Sequence, residues 1–112
     1  MAQIIWTSTA IDDLNSIAEY IEMDSELAAA KFIKEIIVKA EALCFHPLKG
    51  RPIPEKIPGD YRQILHKSYR IIYRVEGLNI YISSIYHQKN YYLNYSVKNA
   101  QQNDNAPDKR RD

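Results

Sequence analysis

A chain of 112 residues, 46% hydrophobic and 26% charged, builds one domain with a core of its own and is too short for two. Its single cysteine, Cys44, excludes an intrachain disulfide and makes a reducing cytosol the natural compartment, while no secretory leader is expected at the start and no apolar run is long enough to span a membrane. The formal net charge of +1 conceals a division: residues 1–45 carry eight acids against three lysines, whereas residues 46–98 carry nine Lys or Arg against three acids.

Gln3 to Thr7 (QIIWT) is a short apolar run that reads as a buried first strand. Ser8 or Thr9 can cap a following helix, with Asp12 and Asp13 well placed in its first turn. Leu14, Ile17, Ala18 and Ile21 recur at helical spacing and turn Asp13, Ser16 and Glu19 toward solvent, so this first amphipathic helix ends near Met23. Asp24 or Ser25 offers the next cap. The stripe Ala29, Ile33, Ile36, Ala40 and Leu43 predicts a second helix running to Phe45 and stopped by Pro47. Joined so closely, the two helices form an antiparallel hairpin.

From Pro47 to Gly59 prolines and glycines mark a loop. Three strands follow, roughly Tyr61 to Lys67, Tyr69 to Glu76 and Asn79 to Tyr86, with connections short enough for an antiparallel meander. Alternation puts Tyr69, Ile71, Tyr73 and Val75 against the helices and Arg70, Ile72 and Arg74 on the other face. In the last strand it turns Ile80, Ile82 and Ser84 inward and Tyr81, Ser83, Ile85 and His87 outward. With Arg62 and Lys67 nearby, the outer face is expected to be basic and to engage an anionic partner, either nucleic acid or an acidic protein segment. The plainer reading is that the charges solvate a sheet face and that Arg70 and Arg74 pair with Glu55 or Glu76. The domain is expected to span 1–97, and the polar stretch 98–112 to be disordered alone.

In this order IIWT, DDLNSIAEYI, HPLKGRPIPE and DYRQILHKSYRIIYRV followed by IYHQKN resemble the RelE/ParE superfamily of toxins from type II toxin–antitoxin systems, over roughly residues 3–90. The resemblance implies an α+β fold: an N-terminal strand and an antiparallel helical hairpin packed on a mainly antiparallel sheet with a three-stranded C-terminal meander. It also implies a cytoplasmic growth inhibitor, of the kind linked to plasmid stabilization, that a cognate antitoxin neutralises in a toxin–antitoxin hetero-oligomer.

Two activities occur in the superfamily: ParE-like members poison DNA gyrase, and RelE-like members cut mRNA on the ribosome. Cutting RNA through its own 2′-hydroxyl requires a base, cations on the phosphorane and an acid for the leaving oxygen. Arg70 matches a strand arginine used on the phosphate, His87 lies near a histidine position of some nucleases, and Glu55 lies where one branch carries a glutamate base. Against this, Lys49, Lys56 and Lys67 are scattered, and Gln88 stands where the nucleases carry a catalytic arginine or tyrosine. The ParE branch, and with it gyrase inhibition, is therefore expected ahead of RNA cleavage, with Arg62, Lys67, Arg70 and Arg74 meeting target or antitoxin. A non-toxic adaptor that binds nucleic acid is the third reading.

His66 lacks ligand-like neighbours, so neither a metal nor a cofactor is expected. His46 beside a helix C-terminus, and Cys44 beside the apolar stripe, read as structural. Tyr86, Tyr91, Tyr92 and Tyr95 read as packing residues rather than as a platform for stacking bases.

Overall fold

In the computed structural model, which describes residues 1–89, the opening apolar run is β1 (Gln3–Trp6), and its partner is the last strand, β5 (Asn79–His87). The two run parallel, with Ile4 opposite Ile80 and Trp6 opposite Ile82. β5 pairs antiparallel with β4 (Tyr69–Glu76), which pairs likewise with β3 (Asp60–His66). A two-residue strand, β2 (Arg51–Pro52), closes the far edge, so the order is β1-β5-β4-β3-β2. This is the α+β class expected. β2 lies inside the segment read as loop, and an edge position is where a sheet tolerates Pro52.

The helical hairpin consists of α1 (Ser8–Glu22) and α2 (Glu26–Glu41). Thr7, not Ser8 or Thr9, caps α1: its Oγ1 accepts from the Ala10 N–H at 3.1 Å and donates to the Ile82 carbonyl at 2.7 Å. One hydroxyl thus starts the helix and fastens it to β5. Ser25 caps α2 by accepting from the Ala28 N–H at 3.1 Å. α2 ends at Glu41 rather than at Phe45, because Ala42–Cys44 tighten into a single 3-10 turn ahead of Pro47. The Ala2 N–H donates to the Cys44 carbonyl at 3.0 Å and ties this turn to β1.

The core lies between hairpin and sheet, where Leu14, Phe32, Ile36, Ala40 and Leu43 meet Ile71, Tyr73, Ile80, Ile82 and Ile85. Phe32, outside the stripe read from sequence, is buried, whereas Ile33 is only partly so. Asp13 does not simply face solvent: its Oδ2 accepts from the Ile85 N–H at 3.0 Å.

The main departure from the sequence reading is a β-bulge. Tyr73 pairs with Ile82 but Ile72 pairs with Ser84, leaving Ser83 as the extra residue. One extra residue exchanges the two faces of everything that follows. Ile85 is therefore in the core and His87 lies opposite Tyr69 on the helix side, while Ser84 and Tyr86 pair with Ile72 and Arg70 on the outer side. The expectation for Ser84, Ile85 and His87 was the reverse.

The loop after α2 is fastened from within. The Gly50 N–H donates to the hydroxyl of Tyr73 at 2.8 Å, and that hydroxyl donates to the Pro47 carbonyl at 2.8 Å. Arg62 adds bonds to the Leu48 and Gly50 carbonyls at 3.3 and 3.0 Å. The expectations for Tyr91, Tyr92 and Tyr95, for a domain end at 97 and for the tail 98–112 lie outside the described residues.

Candidate functional site

Arg70, Ile72 and Arg74 do lie on the face away from the helices, but that face is not an open cationic surface. The side chains of Arg70 and Glu55 are 5% and 6% exposed and face each other. Arg70 Nη2 is 3.3 Å from Glu55 Oε1 and Nη1 is 3.4 Å from Oε2, while Nε donates to Gln63 Oε1 at 2.7 Å. The planar fork of the guanidinium suits this two-pronged grip on a carboxylate. Glu55 reaches it because the loop after β2 turns back over the sheet, with the Ile53 N–H on the Tyr61 carbonyl at 3.3 Å.

The remaining cations expected at the site are also paired, and Arg62, expected with the outer face, lies instead opposite Tyr73 on the helix side, where its guanidinium meets the Leu48 and Gly50 carbonyls. Arg62 Nε is 3.0 Å from Asp60, Arg74 bonds Glu76 and stacks 4.4 Å from the centre of the Tyr81 ring, and Lys67 Nζ is 3.5 Å from Glu35. The plainer reading of Arg70 and Arg74, as partners of Glu55 and Glu76, is the arrangement found. A cleft of about 290 Å³ opens beside the Arg70 pair, lined by Pro54, Gln63, Leu65, Arg70 and Gln88. Gln63 was not singled out from sequence, although alternation with Tyr61 and Leu65 puts it on the same face as Arg70.

His87 does not join this group. It lies across the sheet, edge-on to Tyr69 with 5.1 Å between ring centres, and Tyr69 packs on Phe32 at 5.1 Å. Its Nδ1 accepts from the Lys89 N–H at 3.1 Å, which leaves the ring proton of the neutral form on Nε2. Arg70, Glu55 and His87 are therefore not one constellation. The bulge at Ser83 separates the third from the first two.

A second polar cluster joins α2 to the β3–β4 turn. Glu35 Oε1 lies 3.0 Å from His66 Nε2 and 3.5 Å from Lys67 Nζ, and Oε2 lies 3.9 Å from Lys31. Burial pushes the Glu35 carboxyl up, but the hydrogen bond from His66 and the charges of Lys67 and Lys31 outweigh it and hold the pKa below the usual carboxylate value. A depressed folded-state pKa stabilises above the unfolded value and is lost as pH falls through the folded one. The melting temperature of the wild type should therefore exceed that of Glu35→Gln at neutral pH, and the gap should close below about pH 4. A gap that stays constant down to pH 3 would show that the carboxylate charge contributes nothing. Among the described residues no three His, Cys, Asp or Glu side chains cluster to hold a metal, and no helix is long and apolar enough to cross a membrane.

A model of the ParE toxins of type II toxin–antitoxin systems, parDE, matches residues 4–92 of the chain. Toxin RelE2 of Caulobacter vibrioides is 39% identical over 51 residues, covering 46% of this chain and only 58% of that protein's length. Among solved structures, a chain of the chromosomal ParDE toxin–antitoxin system of P. aeruginosa superposes with a TM-score of 0.66 at 27% identity, covering 78% of this chain and 96% of its own. A chain of the toxin–antitoxin complex RelBE2 of Mycobacterium tuberculosis gives 0.58 at 21% identity, over 77% of this chain and 96% of its own. At that identity the second likeness concerns the fold alone.

Proposed function

The chain belongs to the ParE toxin family of type II toxin–antitoxin systems, and from that premise we propose that it arrests growth by inhibiting DNA gyrase and is held inactive by a cognate antitoxin. The observation carrying the choice of gyrase over mRNA is the separation of His87 from Arg70 and Glu55 by the sheet. A nuclease needs its proton donor, proton acceptor and cation around one phosphate. Here the buried guanidinium is neutralised by Glu55 and the imidazole lies behind it.

An antitoxin partner is supported by the family match and by the neighbour from a chromosomal ParDE toxin–antitoxin system. Of the cations assigned to binding, Lys67 and Arg74 are the most accessible, at 63% and 30% side-chain exposure. An acidic antitoxin segment can compete there with Glu35 and Glu76, whereas Arg62 and Arg70 hold the structure that presents them.

Induction of the chain alone should stop growth with filamentation and an SOS response, and the purified protein should inhibit supercoiling by gyrase. His87→Ala should remain toxic, because no proton transfer depends on it. The competing reading, ribosome-dependent mRNA cleavage, draws on the cleft that Arg70 lines; it predicts a rate loss of roughly a hundredfold or more in the same variant. Cuts in ribosome-bound mRNA that vanish in both His87→Ala and Arg70→Ala would reverse the assignment. Unimpeded growth on induction would instead favour a non-toxic adaptor.

A further inference from the structure

We propose that the cleft between α2 and the β2–β3 edge is a nucleotide site, in which Lys39, Lys49 and Arg51 hold the phosphate and the aliphatic wall receives the base. The cleft encloses about 400 Å³, within the range of small-molecule sites, and none of its lining residues is an acid. Its three cations come from the last turn of α2 (Lys39), the loop that follows (Lys49) and β2 (Arg51), brought to one cleft as the chain turns from helix to sheet edge.

The pairing pattern singles these cations out. Arg62, Arg70, Arg74 and Lys67 each face an acid, whereas Lys49 and Arg51 have no acidic partner among the described residues. They flank Gly50, whose N–H is bound to the Tyr73 hydroxyl and whose carbonyl accepts from Arg62. The backbone presenting the two charges is thus fixed before any ligand arrives, which lowers the ordering cost of binding. Lys39 Nζ donates to the Leu65 carbonyl at 2.9 Å, so it stands at the cleft wall with two further N–H donors to offer.

Several donors converging on one cleft match a phosphate, which concentrates close to two charges and three acceptor oxygens on one centre. An acidic peptide spreads single charges along an extended line instead. The remaining wall includes Ala42, Ile64 and Leu65, an apolar surface that a bare anion would not use but a base would. This site does not depend on the gyrase reading, and it adjoins the Arg70 pair through Gln63 and Leu65, which line both clefts. A free nucleotide and a nucleotide within a strand present the same chemistry to it.

The test is binding to the full chain, with AMP, inorganic phosphate, a short single-stranded oligonucleotide and a glutamate-rich peptide as probes. AMP should bind saturably, and at least tenfold more weakly to Lys49→Gln/Arg51→Gln and to Lys39→Gln, with melting temperatures unchanged. Lys34→Gln, which removes an exposed lysine of α2 outside the cleft, should leave affinity intact. An oligonucleotide that outbinds AMP with the same residue dependence supports the site and makes a strand its source. Absence of saturable AMP binding, inorganic phosphate binding as tightly as AMP, tighter binding of the peptide, or an equal loss in Lys34→Gln would each overturn the assignment.

Discussion

Glu55→Ala is expected to destabilise the protein by about 3 kcal/mol, because it leaves the Arg70 guanidinium, with a side chain only 5% exposed, without its carboxylate. The neutral Gln63 amide still accepts from Nε at 2.7 Å, which keeps the loss toward the lower end for a broken buried pair. Replacing both partners, Arg70→Met with Glu55→Leu, removes the buried charge together with its counter-charge and should recover most of the loss. Chemical denaturation of the two variants beside the wild type checks both statements, and a Glu55→Ala midpoint equal to that of the wild type would mean that the pair is solvated in solution. The double variant also separates architecture from action. If it is stable and still stops growth, Arg70 serves the fold; if it is stable and harmless, the outer face loses its function with the pair.

The second large effect is expected at Gly50. A Cβ added there would lie 2.6 Å from the Tyr73 hydroxyl oxygen, 2.8 Å from its Cε1 and 2.7 Å from the Gln63 carbonyl oxygen. These atoms belong to a fully buried ring and to a strand backbone, so neither can move aside cheaply. Gly50→Ala should cost about 3 kcal/mol, at the upper end for overpacking, and lower the melting temperature by more than about 10 °C. Tyr73→Phe, which only removes the hydroxyl bridging Gly50 and Pro47, should cost about 1 to 2 kcal/mol. The double variant should fall short of the sum because one of the three collisions disappears with the oxygen. A Gly50→Ala protein that melts like the wild type would show that the loop can lift off Tyr73.

What the sequence made legible depended on the range over which each signal acts. Ala29, Ile36 and Ala40 of the stripe read for α2 and the inward residues Ile71, Tyr73, Ile80 and Ile82 follow from local periodicity and are buried as expected, whereas Phe32 takes the buried place read for Ile33. The same rule fails beyond Ser83, where the bulge adds a residue. The trace it leaves is the spacing of Ile80, Ile82 and Ile85, which breaks the period of two between Ser83 and Ser84. The candidate site was less legible. The cations Arg70 and Arg74 are visible from alternation, and Arg62 and Arg74 find their acids two residues away in their own strands, but the neutralisation of Arg70 requires the loop to carry Glu55 back onto β4, a contact between segments whose geometry no local pattern encodes. The convergence of Lys39 with Lys49 and Arg51 is hidden for the same reason: α2 must lie beside the β2–β3 edge before the three can meet.

The parallel pairing of β1 with β5 also bears on how the molecule comes into being. β1 waits for residues more than seventy positions downstream, and α1 is fastened to the same late strand through Thr7 and Asp13. During synthesis the first strand therefore emerges with its pairing partner still unmade and the first helix with only α2 to pack on, and the sheet can close only after Asn79 to His87 have cleared the ribosome. Truncations ending before Asn79 should show no cooperative melting. Until β5 has emerged, the helical hairpin and the β3–β4 pair have their own partners in the nascent chain, but the central strand that joins them and receives β1 is missing.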